Sequence, residues 1–212
     1  MVVAGGSGSR LGDPLPKQFV EVGGVRLIDR ALAAASAACG RIVAVVPAAY
    51  LDATVTPGAT AVAGGLTRSA SVRAGLAVVP DDAAVIVVHD AARPLADVAL
   101  FERVIAAVLE GADGAVPGVP VADTTKRVDP ATGLVLQTLD RSALRAIQTP
   151  QAFAADVLRR AHAGGGEATD DAALVEAAGG RVVVVDGDPA NLKITGPDDL
   201  VRAEALLARR NP

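Results

Sequence analysis

A glycine-rich stretch near the start of the chain is the first candidate for chemistry. Residues 5–9 read Gly-Gly-Ser-Gly-Ser, and two cations seven positions apart, Arg10 and Lys17, follow. Because glycine has no Cβ, such a loop can bring backbone N–H groups close to an anion. The cations can stabilise negative charge that develops on a triphosphate during substitution. The stretch therefore predicts a phosphate-binding loop.

Known phosphate-loop motifs do not fit this stretch. No Gly-Lys-Ser/Thr follows the glycines, so the stretch is not a Walker A loop. It is also a poor dinucleotide fingerprint, because cations replace the third glycine. A purely structural glycine turn is the plainer alternative.

A second glycine pair occurs in residues 64–72, directly before a predicted helix start that carries hydroxyl side chains. This segment could hold a base and a ribose. In isolation it is also an ordinary helix-capping segment, because serine and threonine are common N-cap residues.

A third element, His-Asp-Ala-Ala-Arg-Pro at residues 89–94, follows the β-branched run 85–88. Ligands of open α/β sheets bind beyond the carboxyl ends of the strands, which favours a functional role. Asp90 could receive a hydroxyl or lie near Mg²⁺, and Arg93 could bind a phosphate through two parallel hydrogen bonds. We interpret His89 as structural, because the chemistry expected here needs no general base of its pKa.

Alternating β-branched and Ala/Leu-rich segments must position these elements. The predicted strands are residues 41–46, 85–89, 114–119 and 181–186, and the predicted helices are residues 27–39, 69–79, 97–110, 152–163, 170–178 and 197–209. This alternation predicts an α/β fold with a mostly parallel twisted sheet covered by helices on both faces. With neither repeats nor linkers, the chain is expected to form a single domain over residues 1–212.

Residues 121–137 break this alternation, since short β-like pieces flank the turn sequence Asp-Pro-Ala-Thr-Gly at 129–133. This pattern predicts a β-hairpin arm, inserted at about residues 119–140. A two-stranded hairpin alone is marginal in water, so we expect the arm to pack against a second subunit.

Composition excludes several classes of function. A net charge of −4 and an aromatic content of 2% provide neither a basic field nor stacking rings for nucleic acid. No apolar run approaches membrane-spanning length, and the N-terminal residues do not resemble a secretory signal, so a cytoplasmic protein without a membrane partner is predicted. The single cysteine, Cys39, is interpreted as core filling.

The three elements, in this order, resemble the 2-C-methyl-D-erythritol 4-phosphate cytidylyltransferase family. Further similar segments lie at residues 123–126, 140–141, 149–153, 169–171 and 191–195, so the resemblance spans nearly the whole chain. It implies a Rossmann-like nucleotidyltransferase domain and a homodimer formed through the β-arm. Two departures are a first strand that looks clipped, with Val-Ala-Gly-Gly where the family usually has Pro-Ala-Ala-Gly, and a short stretch between residues 50 and 63.

The resemblance also implies roles for individual residues. The expected catalytic residues are Arg10, Lys17, Arg141 and Lys193. Contacts to CTP are expected from Ala4, Gly5, Gly6, Gly8, Arg10, Lys17, Gly65, Leu66, Arg68, Ser71, Asp90 and Ala91. The polyol phosphate would contact Asp90, Arg93, Thr124, Arg141, Thr149, Thr169 and Lys193, with Arg141 contributed by the neighbouring subunit. Mg²⁺ would be held mainly by the CTP phosphates, with Asp90 as a candidate ligand.

The reaction that the resemblance implies is transfer of CMP from CTP to 2-C-methyl-D-erythritol 4-phosphate, in non-mevalonate isoprenoid precursor synthesis. The products would be 4-diphosphocytidyl-2-C-methyl-D-erythritol and pyrophosphate. A D-ribitol 5-phosphate cytidylyltransferase is the nearest alternative, because its relatives share the glycine loop, the Asp-Ala-Ala-Arg element and the arm. Sugar-phosphate and molybdopterin nucleotidyltransferases lack the combined Thr-Pro-Gln and Asp-Ala-Ala-Arg-Pro elements. A nucleotide-binding regulatory module without catalysis is the alternative from another class, and the retained cations argue against it.

Overall fold

The computed structural model describes residues 1–4, 16–53 and 58–210. Its strands are β1 (Val2–Val3), β2 (Glu21–Val22), β3 (Val25–Arg26), β4 (Ile42–Val46), β5 (Ala59–Ala63), β6 (Val85–Asp90), β7 (Gly114–Pro120), β8 (Lys126–Val128), β9 (Val135–Thr138), β10 (Arg145–Ile147), β11 (Gln151–Ala154) and β12 (Val182–Asp186). Its helices are α1 (Leu27–Ala38), α2 (Arg68–Leu76), α3 (Val98–Leu109), α4 (Ala155–Ala163), α5 (Asp171–Ala177) and α6 (Pro197–Arg210).

Eight of these strands form one sheet in the order β10-β7-β11-β6-β1-β4-β5, and β12 also pairs with β7. β1 is parallel to both β4 and β6, β4 is parallel to β5, and β7 is parallel to β12. Among the described strands of this sheet, only β10 and β11 run antiparallel to their neighbours. The predicted α/β fold with a mostly parallel sheet is confirmed.

The central strands are buried on both sides, which explains why helices cover both faces. In β4, Ile42 and Val46 enter a core with α1 and α3, whereas Val43 and Val45 enter a core with α2, α4 and α5. Since successive strand residues point to opposite faces, an unbroken apolar strand requires such double coverage. Helix α6 packs on a third, smaller cluster that contains Ile194.

Polar caps fix where several helices begin. Thr67, Asp97 and Asp170 each accept a backbone N–H from three residues ahead, at 2.9–3.1 Å, and so start α2, α3 and α5. These bonds satisfy donors that a helix terminus would otherwise leave unpaired. Two of the capped helices, α2 and α5, begin beside the candidate site.

The predicted start of one helix was wrong. Residues 152–163 were expected to be helical throughout, but Gln151–Ala154 form β11, and the helix begins only at Ala155. β11 lies between β6 and β7 and bonds to both, so its backbone is satisfied by neighbours distant in sequence. Such tertiary pairing outweighs the helix propensity of two alanines. The short strands β2, β3, β5 and β10 were not predicted either.

The predicted hairpin is present as β8 and β9, which pair antiparallel. Asp129 organises its turn, because Oδ1 accepts the N–H groups of Ala131 and Thr132, and Gly133 supplies a φ of 71°. Every residue of both strands is exposed in the single chain, and Leu134 is 65% exposed. Whether a second subunit covers the arm remains a prediction.

Within the described ranges, no helix has both the length and the apolar character needed to cross a bilayer. Cys39 is half-buried and packs against the α1 and α3 core, in agreement with core filling.

Candidate active site

The described part of the candidate site is a pocket at the carboxyl ends of β1 and β6. Because these strands are adjacent and parallel, the residues that follow them, Ala4 and Ala91, meet at one edge of the sheet. The N-terminus of α2 and the segment before α6 complete this edge. The lining residues are Val3, Ala4, Lys17, Gln18, Leu66, Thr67, Arg68, Asp90, Ala91, Ala92 and Lys193.

Asp90 is the one carboxylate among these lining residues, and two cations flank it. Its Oδ2 accepts a hydrogen bond from Lys193 Nζ at 2.7 Å, and its Oδ1 lies 3.4 Å from Arg68 Nε. Burial alone would raise the pKa of Asp90, but Arg68 and Lys193 outweigh it and lower the pKa to about 2. Asp90 is therefore ionised at neutral pH.

Arg68 lies at the start of α2 and contacts a second carboxylate, Asp171, through Nη2 at 2.8 Å. Although burial would lower the pKa of this guanidinium, Asp171 and Asp90 raise it. Lys17 also reaches the pocket, and its Nζ lies 3.4 Å from the carbonyl of Ile194, beside Lys193. Three cations and one carboxylate therefore line the described pocket, which suits a polyanionic ligand.

His89 and Thr149 support Asp90 from behind. The Thr149 hydroxyl oxygen accepts the Asp90 N–H at 3.0 Å and lies 3.1 Å from His89 Nδ1, while His89 Nε2 lies 3.1 Å from the Arg93 carbonyl. These contacts are all satisfied when His89 carries its proton on Nε2 and Thr149 donates to Nδ1. Burial lowers the pKa of His89 to about 4. A neutral, structural histidine agrees with the sequence interpretation.

Arg93 holds two backbone segments together. Its Nη1 donates to the carbonyl of Asn191 at 2.8 Å and its Nη2 to the carbonyl of Ile147 at 3.2 Å. Burial lowers the pKa of this arginine. In the single chain both Nη groups are thus engaged with backbone, and the expected contact with phosphate remains a prediction.

The segment 64–72, which is predicted to contact the nucleotide, also has local packing roles. A Cβ on Gly65 would lie 2.5 Å from Ala70 Cβ, so only glycine fits this close approach. The buried Ser71 hydroxyl donates to the Thr67 carbonyl at 2.8 Å, which uses it within the helix. Leu66 is fully exposed at the pocket rim.

Several predicted residues lie elsewhere. Arg141 begins a short turn at the base of the arm, where its Nη1 donates to the Ala122 carbonyl, and neither it nor Thr124 lines the pocket around Asp90. Thr149 is buried behind Asp90, and Thr169 precedes the cap of α5 without lining the pocket. Gly5, Gly6, Gly8 and Arg10 lie outside the described residues.

The sequence interpretation assigned no role to several residues that the structure places at or beside the pocket. Gln18 lines the pocket at 2% exposure, and neither polar atom of its amide has a partner in the described part of the chain. Asn191 is fully buried and donates to the Thr149 carbonyl at 2.9 Å. Asp171 pairs with Arg68 as described. The available signal was their position in the sequence, because Gln18 follows Lys17, whereas Asp171 and Asn191 lie within the family-like segments 169–171 and 191–195.

No group of three or more His, Cys, Asp or Glu side chains that could hold a metal occurs in residues 1–4, 16–53 and 58–210. A single carboxylate such as Asp90 is compatible with a metal ion that is held mainly by the phosphates of a ligand, because Mg²⁺ is commonly bound through one or two carboxylates together with substrate phosphates.

A mostly parallel α/β sheet with cations gathered beyond the ends of β1 and β6 defines a Rossmann-like protein with a site suited to a phosphorylated ligand. The sequence profile of the 2-C-methyl-D-erythritol 4-phosphate cytidylyltransferase (IspD) family matches residues 1–209. The chain belongs to this family, and it is therefore a cytidylyltransferase.

Individual relatives agree with this assignment. The 2-C-methyl-D-erythritol 4-phosphate cytidylyltransferase of Rhodococcus opacus is 49% identical over 213 residues, which cover 98% of this chain and 93% of the relative. The enzyme of the same name from Nocardia farcinica is 48% identical, over 99% of this chain and 94% of its own. The crystal structure of the Thermus thermophilus enzyme superposes with a TM-score of 0.80 at 37% identity, covering 98% of this chain and 97% of that structure.

Proposed function

We propose that the chain transfers CMP from CTP to 2-C-methyl-D-erythritol 4-phosphate, releasing pyrophosphate, in non-mevalonate isoprenoid precursor synthesis. The observation that carries this proposal is Asp90 at the end of β6, bonded to Lys193 in a pocket that Lys17 and Arg68 also line. Members of the family that match over nearly the full chain are named for this acceptor.

In the proposed reaction, a phosphate oxygen of the acceptor attacks the α-phosphorus of CTP. A new P–O bond forms, the bond between the α-phosphorus and the bridging oxygen breaks, and its electron pair leaves with pyrophosphate. The acceptor phosphate is already ionised near neutral pH, so little proton transfer is required. Catalysis then rests on alignment of two polyanions and on stabilisation of charge.

The cations of the pocket suit these two tasks. Lys17 would stabilise charge that develops on the phosphates of CTP, together with Arg10 of the glycine loop. Lys193 would bind the acceptor phosphate, and Asp90, held by Lys193 and supported by the Thr149 hydroxyl, would receive an acceptor hydroxyl. Rigid placement matters, because hydrogen bonds aimed in advance need no reorganisation during the reaction.

Mg²⁺ is the proposed cofactor, held mainly by the triphosphate with Asp90 as the candidate protein ligand. When bound, it would neutralise charge on the phosphate oxygens. The protein residues would still position both substrates around it. Removal of divalent metal by a chelator should abolish turnover, and added Mg²⁺ should restore it.

A homodimer formed through the arm is also proposed. Its support is the set of exposed apolar side chains, Val128, Leu134, Val135 and Leu136, on a hairpin that the single chain leaves uncovered. Arg141 and Thr124, at the base of the arm, would then serve the pocket of the partner subunit. A cytoplasmic location is also proposed.

The test is pyrophosphate release from CTP and Mg²⁺ with 2-C-methyl-D-erythritol 4-phosphate or D-ribitol 5-phosphate as acceptor, and with the other nucleoside triphosphates in place of CTP. We expect the highest kcat/KM with CTP and the methylerythritol acceptor. A preference for ribitol phosphate would overturn the acceptor assignment. CTP binding without pyrophosphate release from either acceptor would overturn the proposed enzyme activity.

A further inference from the structure

A fully buried carboxylate lies directly behind Arg68 and has two partners. Asp171 is the first residue of α5 and is 0% exposed. Its Oδ2 accepts from Arg68 Nη2 at 2.8 Å, and its Oδ1 lies 3.0 Å from Nε2 of His162, in the last turn of α4. His162 is itself buried, at 3% exposure. Three helices, α2, α4 and α5, thus meet at one polar cluster.

This cluster is set in apolar surroundings. Leu158, Ala172 and Val175 of α4 and α5 belong to the same hydrophobic core as Val72 of α2. Burying a carboxylate and an arginine in such a core costs desolvation, and apolar side chains of similar volume often give equal or greater stability. Stability alone is therefore a weak explanation for the cluster, and its contact with a pocket residue suggests a role in the site.

The three guanidinium nitrogens of Arg68 differ in their hydrogen-bond partners. Nη2 bonds to Asp171 at 2.8 Å, and Nε lies farther, at 3.4 Å, from Asp90. Nη1 is buried and has no partner within the described ranges, although Arg68 lines the pocket. Because a guanidinium is planar and rigid, holding its Nη2 side determines where the Nη1 donors point.

We propose that Asp171, oriented by His162, is a positioning residue that fixes the guanidinium of Arg68 at the wall of the nucleotide pocket. This inference rests on the proposed function, since it takes CTP as the ligand of the pocket. Without Asp171, Asp90 would be the remaining carboxylate partner of Arg68, and the guanidinium would turn toward it. That movement would shift a cation of the pocket wall away from the nucleotide and make Arg68 compete with Lys193 for Asp90.

His162 orients the carboxylate of Asp171. Its contact with a carboxylate oxygen, which only accepts hydrogen bonds, requires that Nε2 carry the proton. Its Nδ1 is buried without a partner in the described chain. A hydrogen-bond donor at the position of Nε2 is thus what orients the Asp171 carboxylate. A glutamine amide can supply this donor, whereas leucine fills similar space without one.

The decisive experiment is a double-mutant cycle on CTP affinity, measured by calorimetric titration with the full-length protein and Mg²⁺. The variants are Asp171→Asn, Arg68→Met and the double variant. Loss of one charge-assisted hydrogen bond predicts about 10-fold weaker CTP binding for Asp171→Asn. Because Asp171 acts through Arg68, Asp171→Asn should cause no further loss in the Arg68→Met background. Equal losses in both backgrounds, or unchanged affinity of a folded Asp171→Asn, would overturn the proposal.

A second pair of variants remains informative if Asp171→Asn does not fold. His162→Gln should keep CTP affinity within about 3-fold of the wild type, whereas His162→Leu should weaken it about as much as Asp171→Asn does. Steady-state kinetics should show the effect in KM for CTP more than in kcat, because ground-state and transition-state binding are lost together. Equal affinity of the Gln and Leu variants would contradict the role of His162.

The matched control is Asp156→Asn on the same helix, α4. Asp156 also pairs with an arginine, Arg160, but both side chains are more than half exposed and lie outside the pocket. This variant should bind CTP like the wild type. If the wild type releases pyrophosphate but the losses of CTP affinity from Asp171→Asn and Arg68→Met are additive, the positioning role is refuted while the proposed function stands. If CTP binds and the two losses are not additive, but no turnover occurs, the positioning role is supported and the proposed function is refuted.

Discussion

Lys193 and Asp90, which are 103 positions apart in the sequence, form the shortest described ion pair of the pocket, with 2.7 Å between Nζ and Oδ2. The lysine side chain is 42% exposed and the aspartate only 13%. The lysine therefore closes over the carboxylate from the solvent side. An acceptor phosphate that entered the pocket would meet the ammonium group first.

Replacement of Lys193 should affect the acceptor more than the nucleotide. Loss of a hydrogen bond to a charged group costs about 1.5–3 kcal/mol, so Lys193→Ala should raise KM for the acceptor roughly 10- to 100-fold. KM for CTP should change little. Initial-rate kinetics with each substrate varied in turn provide the measurement, and Lys193→Arg, which keeps the charge, should recover part of the loss. A larger effect on CTP would contradict the assignment.

Lys17→Ala should lower kcat by about 10² to 10³, corresponding to the roughly 2.7–4 kcal/mol typical of one transition-state donor. Lys17 lies in a short turn at the pocket rim, so folding should survive, which circular dichroism and thermal unfolding can verify. Arg160→Ala removes an exposed cation outside the pocket and serves as the control. A kcat equal to the wild type would show that Lys17 has another role.

The exposed arm predicts a concentration-dependent dimer. Leu136→Lys places a charge among the exposed apolar side chains of the hairpin, where Leu136 is 54% exposed in the single chain. Burying such a charge in an interface is costly, so the variant should shift toward monomer in light scattering coupled to size exclusion. Val201→Lys changes an exposed apolar residue of α6, outside the hairpin, and should leave the mass unchanged. A wild type that is monomeric at all concentrations tested would contradict the proposal.

Complementation can test whether Arg141 serves the partner's pocket. Arg141→Ala and Lys17→Ala should each have low activity, but a heterodimer of the two carries one pocket with both residues intact if Arg141 acts across the interface. Mixing after reversible dissociation should then recover roughly a quarter to a half of wild-type activity, depending on how the dimers exchange. Verified heterodimers without recovered activity would place Arg141 and Lys17 in the same pocket of one subunit.

Buried His89 should make stability depend on pH. Burial lowers its pKa from 6.5 to about 4, so the unfolded chain binds a proton that the folded chain excludes. The corresponding stabilisation is fully present above about pH 6.5 and is lost as the pH falls toward 4. Free energies of unfolding from urea titrations should therefore decline more steeply over this window for the wild type than for His89→Gln. Parallel curves for the two proteins would contradict a neutral buried His89.

Local signals predicted much of the fold. Turn residues at 129–133 predicted the hairpin, and the β-branched runs predicted β4, β6, β7 and β12, because backbone geometry and side-chain alternation act over a few residues. β11 was missed at the start of a predicted helix, since its hydrogen bonds go to β6 and β7. Short strands of this kind carry too few residues to show a period of their own.

The residues of the candidate site were likewise predicted only in part from the sequence. The sequence placed Asp90 after a strand and Gly65 before a helix, which determined that both would stand at the edge of the sheet. It also carried enough segments in order to indicate the family. The role of Asp171 was missed, because its partners Arg68 and His162 lie on two other helices and are 103 and 9 residues away.

The sequence by itself thus determined the α/β alternation, the hairpin, the cationic residue types and the family. Only the tertiary structure decided that Lys193 and Arg68 share Asp90, that Thr149 and His89 hold it from behind, and that Asp171 holds Arg68. Secondary structure follows from local conformational preferences, whereas an ion pair depends on distances through space that emerge only when the sheet and helices have packed.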